Sequence, residues 1–100
     1  MKIAIAAKHE NVNSEVDNIS ARAPFYLIFE NKKLIKTIKN PFQFGSGGAG
    51  YSVAQMLSNE NVELTVAGSF GQNMVGALEE KNIKYKVVNN KTVKEVLEEI

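Results

Sequence analysis

Cysteine is absent from the 100 residues, which excludes disulfides and any metal site built on thiolates, and is compatible with a reducing cytosol. Neither sign of charge is in excess. Twelve basic residues face 11 acidic ones, mixed along the chain for a net charge of +1, so there is no basic stripe to neutralise a phosphate backbone and no nucleic-acid partner is expected. Long apolar runs are missing too: Ile3 to Ala7 is bounded by Lys2 and Lys8, too short for a signal peptide core or a membrane span. The chain is therefore expected to be cytoplasmic, with no membrane partner. What is present, 44% hydrophobic and 23% charged residues, is the ordinary composition of a folded soluble protein. The length suits a single domain over residues 1–100, able to bury about two-thirds of its unfolded surface.

Taken in order, the uninterrupted apolar run Ile3–Ala7 predicts a strand covered on both faces, hence central in its sheet. Lys8 to Ser20 is polar and aperiodic and predicts a surface loop. Pro24 imposes an extended entry on Ala23, and the aromatic and β-branched Phe25 to Glu30 follows as a second strand. A short turn at residues 31–33 leads to a third strand, Leu34–Lys39, whose Lys36 and Lys39 suit a guarded edge. Val53, Ala54, Met56 and Leu57 recur at helical spacing and predict a helix over Ala49–Asn59. A fourth strand spans Val62–Ala67. The second helix begins near Gly71–Asn73, carries Met74, Ala77 and Leu78 on one face, and has Asn82 suited to the left-handed position past its end. Lys84–Val88 is a fifth strand. Thr92 with Glu95 forms a capping-box pattern opening a third helix with Val93, Val96, Leu97 and Ile100 along one stripe.

An antiparallel meander followed by strand–helix–strand–helix predicts an α/β fold: a mixed five-stranded sheet of order 3-2-1-4-5 with three helices. In that order the loops after strands 1, 3, 4 and 5 all open at one end of the sheet, so residues 8–22, 40–50, 68–72 and 89–91 should meet where the chain order reverses between strands 1 and 4. Open α/β sheets bind ligands in that crevice.

The most unusual stretch, Phe44 to Tyr51, places four glycines (Gly45, Gly47, Gly48 and Gly50) within six residues and runs into the first helix. Unpaired N–H groups at such an end attract anions. The alternative is a plain flexible connection. Gly68 and Gly71 would present a second helix start, with Gln72 and Asn73, to the same crevice, or serve only a tight turn. Arg22 could fork onto an anion, stay solvated, or pair with Glu15 or Asp17. His9, the single histidine, is a candidate metal ligand or proton carrier, or a solvated loop residue.

Enzyme chemistry lacks its parts. Gly45, Gly47 and Gly50 spell G-x-G-x-x-G, but Pro41 to Phe44 separates them from the strand and no acidic residue ends strand 4, so a dinucleotide site is excluded. No Lys-Ser or Lys-Thr follows the glycines as a P-loop requires, the central strand has no carboxylate for two-metal catalysis, and no serine stands in a nucleophile elbow. A non-catalytic protein is expected.

The opening Met1-Lys2-Ile3-Ala4-Ile5, the run Arg22-Ala23-Pro24-Phe25-Tyr26, Asn40-Pro41, the loop with Gly48, Gly50 and Ala54, Ala67-Gly68 with Gly71 and Asn73, and Thr92-Val93 together resemble the dinitrogenase iron-molybdenum cofactor biosynthesis family, the NifX-like carrier domains and their small relatives. The resemblance implies a ribonuclease H-like three-layer fold and a carrier for an iron-sulfur or iron-molybdenum-sulfur cluster, exchanged with donor and acceptor proteins. The implied cofactor-binding residues are Arg22, Gly45, Gly47, Gly48, Gly50, Gly68, Gly71, Gln72 and Asn73, with His9 or a carboxylate such as Glu10 toward the metal. The second function open to the same crevice is regulatory binding of a nucleotide or phosphate metabolite, and the third a purely structural partner domain.

Overall fold

The structure, a computed structural model, describes residues 1–45 and 47–100, and Ser46 of the glycine stretch lies outside them. Strands β1 (Lys2–Ala7), β2 (Phe25–Glu30) and β3 (Lys33–Lys39) precede helix α1 (Ala49–Asn59), then β4 (Leu64–Ala67), α2 (Gln72–Glu80), β5 (Lys84–Val87) and α3 (Val93–Glu99). The five strands lie in the order β3-β2-β1-β4-β5, as the alternation of elements predicts. β1 is antiparallel to β2 and parallel to β4, which is parallel to β5.

Burial explains the unbroken apolar run of β1, since its side chains alternate between two cores. Ala4 and Ala6 join Tyr26 and Ile28 under Val53 and Leu57 of α1 and Met74 and Leu78 of α2. Ile3, Ile5 and Ala7 join Leu27, Phe29 and Val66 under Val93, Val96 and Leu97 of α3. Two helices thus cover one face and the third covers the other. Each fully buried leucine, such as Leu57 or Leu78, contributes about 1.5–3 kcal/mol of transfer free energy.

Turn chemistry sets the ends of the elements. Asn31 and Lys32, at φ 52° and 66°, make the two-residue turn that joins β2 to β3 with Glu30 opposite Lys33. Helices α1 and α2 stop in the same way. Asn61 and Asn82 take left-handed geometry, at φ 60° and 58°, and the next residue's N–H returns to the helix, Val62 to Leu57 and Ile83 to Leu78. Val62, predicted to start strand 4, belongs to that helix end, and the strand starts at Leu64.

The segment predicted as a plain surface loop is partly structural. Its backbone bonds to three other segments: Asp17 N–H donates to Ala6 O, Gly68 N–H to Asp17 O and Val16 N–H to Lys91 O. Ser14, Val16 and Ser20 are buried, and a 3-10 turn forms over Ser20–Arg22. The outermost strands carry Lys33, Lys36 and Lys39 on β3 and Lys84 and Lys86 on β5.

Candidate functional site

The connections after β1, β3 and β4 meet at one end of the sheet. Bonds of Ser20 N–H to Ser69 O (3.1 Å) and Ser69 Oγ to Asn18 O (2.7 Å) join the first to the last, and Arg22 Nη1 to Phe42 O (3.1 Å) joins the first to the connection after β3. Between them lies a hollow of about 340 Å³, lined by residues 19–22, 48–50 and 71–74. The fourth predicted segment, 89–91, touches the first through Val16 and Lys91 but lines a separate indentation.

Two helices open onto the hollow. Gly48 is the N-cap of α1 in left-handed geometry (φ 83°), which glycine adopts without strain, and Gly71 is the N-cap of α2. Among the described residues neither start is capped by a side chain, and neither first turn holds an acidic residue. Each start carries roughly half a positive charge. Arg22 adds a full one from the 3-10 turn, and among the described residues no carboxylate lines the hollow to offset these charges.

Six of the residues singled out in the sequence therefore come together: Arg22, Gly48, Gly50, Gly71, Gln72 and Asn73. Four stand elsewhere. Gly45 and Gly47 are exposed in the approach to α1, outside the lining. Gly68 is buried beneath neighbouring loops, where a Cβ would come within 2.7 Å of Asn18 Cα, so close backbone approach explains this glycine. His9 is exposed, its N–H donating to Ser14 Oγ, and among the described residues no group of three or more His, Asp or Glu side chains gathers to hold a metal ion.

Arg22 does not pair with Glu15 or Asp17 among the described residues. Its Nη1 donates to the carbonyl oxygens of Phe42 (3.1 Å), Gln43 (3.3 Å) and Gly45.

The floor was not foreseen as part of a site. Ser20 Oγ donates to Met74 Sδ (3.1 Å), and the buried Tyr26 hydroxyl donates to Ser20 O (2.6 Å). Burial, with the charge of Asp17 adding to it, pushes the Tyr26 hydroxyl well above its ordinary pKa, so it stays a donor. The available signal was Met74 itself, one residue beyond Gln72 and Asn73 on the inward face of α2.

A larger trough of about 620 Å³ is formed by α1, α2 and the turn after β3, lined by Phe42, Tyr51, Met56 and Ala77 with the carboxylates of Glu60 and Glu80 and the single ammonium of Lys81. Its two carboxylates outnumber the one ammonium and neither helix N-cap lines it, so an anion favours the smaller hollow.

Three solved structures share the fold. The apo orange protein of Desulfovibrio gigas superposes with a TM-score of 0.90 at 24% identity, over 97% of this chain and 83% of that one. A Thermotoga protein, provisionally assigned as NifB and placed in the DUF35 family, gives 0.83 at 24% identity, over 97% and 84%. A Methanocaldococcus jannaschii protein, provisionally assigned as a dinitrogenase, gives 0.63 at 15% identity, over 99% and 89%. Comparison with curated proteins finds no match. The sequence profile of the dinitrogenase iron-molybdenum cofactor family matches residues 1–100, and the chain belongs to that family.

Proposed function

We propose that residues 1–100 form one non-catalytic carrier domain that holds an anionic metal–sulfur unit, an iron-sulfur or iron-molybdenum-sulfur cluster or a related anion, in the hollow between α1, α2 and the 3-10 turn. The observation that carries this is the convergence of two helix starts without side-chain caps and one arginine on a single hollow. Membership of the dinitrogenase iron-molybdenum cofactor family supports a cargo of this class.

The donor set bears on the form of that cargo. Among the described residues the lining has no thiolate, imidazole or carboxylate, and its one sulfur, Met74 Sδ, accepts a hydrogen bond from Ser20. Bare iron would find poor ligands there. Backbone N–H groups, the Gln72 and Asn73 amides and Arg22 suit the outside of a unit that brings its own sulfides. Binding by such groups is reversible, as transfer between a donor and an acceptor protein in the cytoplasm requires. The three-layer arrangement fits a ribonuclease H-like frame whose catalytic carboxylates are missing.

The test is anaerobic equilibrium dialysis with tetrathiomolybdate, a molybdenum–sulfur dianion followed by its absorbance. Saturable binding weakened by Arg22→Ala is expected, and no retained chromophore would sink the proposal. One observation favours a second function: donors that are all N–H suit phosphate oxygens equally well, as regulatory binding of a nucleotide or phosphate metabolite requires. Thermal shift decides, because a ligand at 100 times its Kd adds about 2.7 kcal/mol of stability. Stabilisation by nucleotides and not by tetrathiomolybdate would reverse the order of the two.

A further inference from the structure

Asn40 ends β3 without lining the hollow, yet it is 4% exposed and fully engaged. Its amide nitrogen donates to Ala21 O (3.0 Å) and Ala23 O (2.9 Å), the carbonyls on either side of Arg22. Its amide oxygen accepts from Phe42 N–H (2.9 Å), and its own N–H donates to Pro24 O (2.9 Å). The turn built on that oxygen then offers the carbonyls of Phe42, Gln43 and Gly45 to Arg22 Nη1.

One side chain therefore fixes both ends of the arginine. It holds the backbone from which Arg22 springs and the turn that receives the guanidinium. A guanidinium is a planar fork whose usefulness to an anion depends on its orientation, and an arginine side chain otherwise samples many rotamers. Three neutral carbonyls on one nitrogen secure that orientation and leave the charge uncancelled for the hollow.

We propose that Asn40 is a positioning residue of the anion site, acting through Arg22: it presents the guanidinium to the hollow in one orientation. This rests on the assignment of the hollow to an anion. Asn40 has the chemistry for the task because only an amide supplies two donated bonds and one accepted bond from a single planar group. A leucine or serine cannot replace both sides.

The test is a double-mutant cycle on the dissociation constant of tetrathiomolybdate, measured by anaerobic dialysis on wild type, Asn40→Ala, Arg22→Ala and the double variant, with Asn40→Ser in place of Asn40→Ala if the latter does not fold. Asn40→Ala should weaken binding about tenfold, a loss in the range of one ordinary hydrogen bond, and the double variant should bind no more weakly than Arg22→Ala alone. General damage to the hollow would multiply the two losses, and that result, or an Asn40→Ala variant that binds as wild type, overturns the proposal. A wild-type protein that retains no tetrathiomolybdate overturns the anion site itself and Asn40's role with it.

Discussion

Gly50 and Met74 are in direct contact across the α1–α2 interface: a methyl group on Gly50 would lie 3.1 Å from both Cβ and the backbone nitrogen of Met74. The two helix starts that frame the hollow are close because residue 50 has no side chain. Gly50→Ala should cost about 1–3 kcal/mol of overpacking, more than the gain of up to about 1 kcal/mol in helix propensity, because backbone rather than a flexible side chain must move. A lowered thermal midpoint is the expected reading, and an unchanged or raised one would mean that α2 yields freely.

Two other glycines separate packing from propensity. Gly76 stands exposed within α2 with no heavy atom within 4 Å of an added Cβ, so Gly76→Ala should stabilise by roughly 0.5–1 kcal/mol. Gly68→Ala meets Asn18 Cα at 2.7 Å and should destabilise by more than Gly50→Ala. Urea unfolding of the three variants gives the order directly.

Tyr26→Phe removes the hydroxyl that donates to Ser20 O at 2.6 Å inside the core. The abandoned carbonyl costs about 1–3 kcal/mol. Faster amide exchange in residues 19–22, ahead of global unfolding, should report loosening of the 3-10 turn.

Thr92 and Glu95 cap α3 reciprocally: Thr92 N–H donates to Glu95 Oε1 (2.9 Å), and Glu95 N–H to Thr92 Oγ1 (3.2 Å). The backbone bond from Thr92, and then its side chain, hold the Glu95 carboxyl below its ordinary range. A carboxyl whose pKa is lower folded than unfolded contributes stability that is complete above the unfolded value and is lost as pH falls through the folded one. Fraying of α3, followed by amide exchange, should increase on acidification below the ordinary carboxylate range. Glu95→Gln should flatten that part of the profile, since an amide can accept the bond without titrating.

Arg22→Ala should free the turn at residues 42–45, where Phe44 is 90% exposed. Chymotryptic cleavage after Phe44, followed by mass spectrometry, should accelerate about tenfold if the lost bonds resemble one charge-assisted hydrogen bond. Equal rates in both proteins would show that Nη1 does not hold the turn.

The fold was legible where local chemistry and topology agree. β1's unbroken run and the alternation of elements define the strand order, the spacing of Val53, Ala54, Met56 and Leu57 marks α1, and the Asn82 and Thr92–Glu95 signals mark two of the caps, all without tertiary information. The 3-10 turn and the anchored 8–20 segment were not legible, because their order comes from bonds to distant backbone, such as Asp17 to Ala6 and Gly68 to Asp17. Within the site, the convergence of helix starts followed from strand direction. The partners of Arg22 did not: nothing in the residue's neighbourhood along the chain points to carbonyls twenty and more positions away.

Both flanks of the sheet are cationic, with Lys33 and Lys39 on one outer strand and Lys84 and Lys86 on the other. Copies meeting side by side would set ammonium groups against ammonium groups, whichever flanks they present, so the unpaired backbone there is a poor template for filament growth. High ionic strength weakens that guard, and concentrated stocks should be most prone to clouding in strong salt.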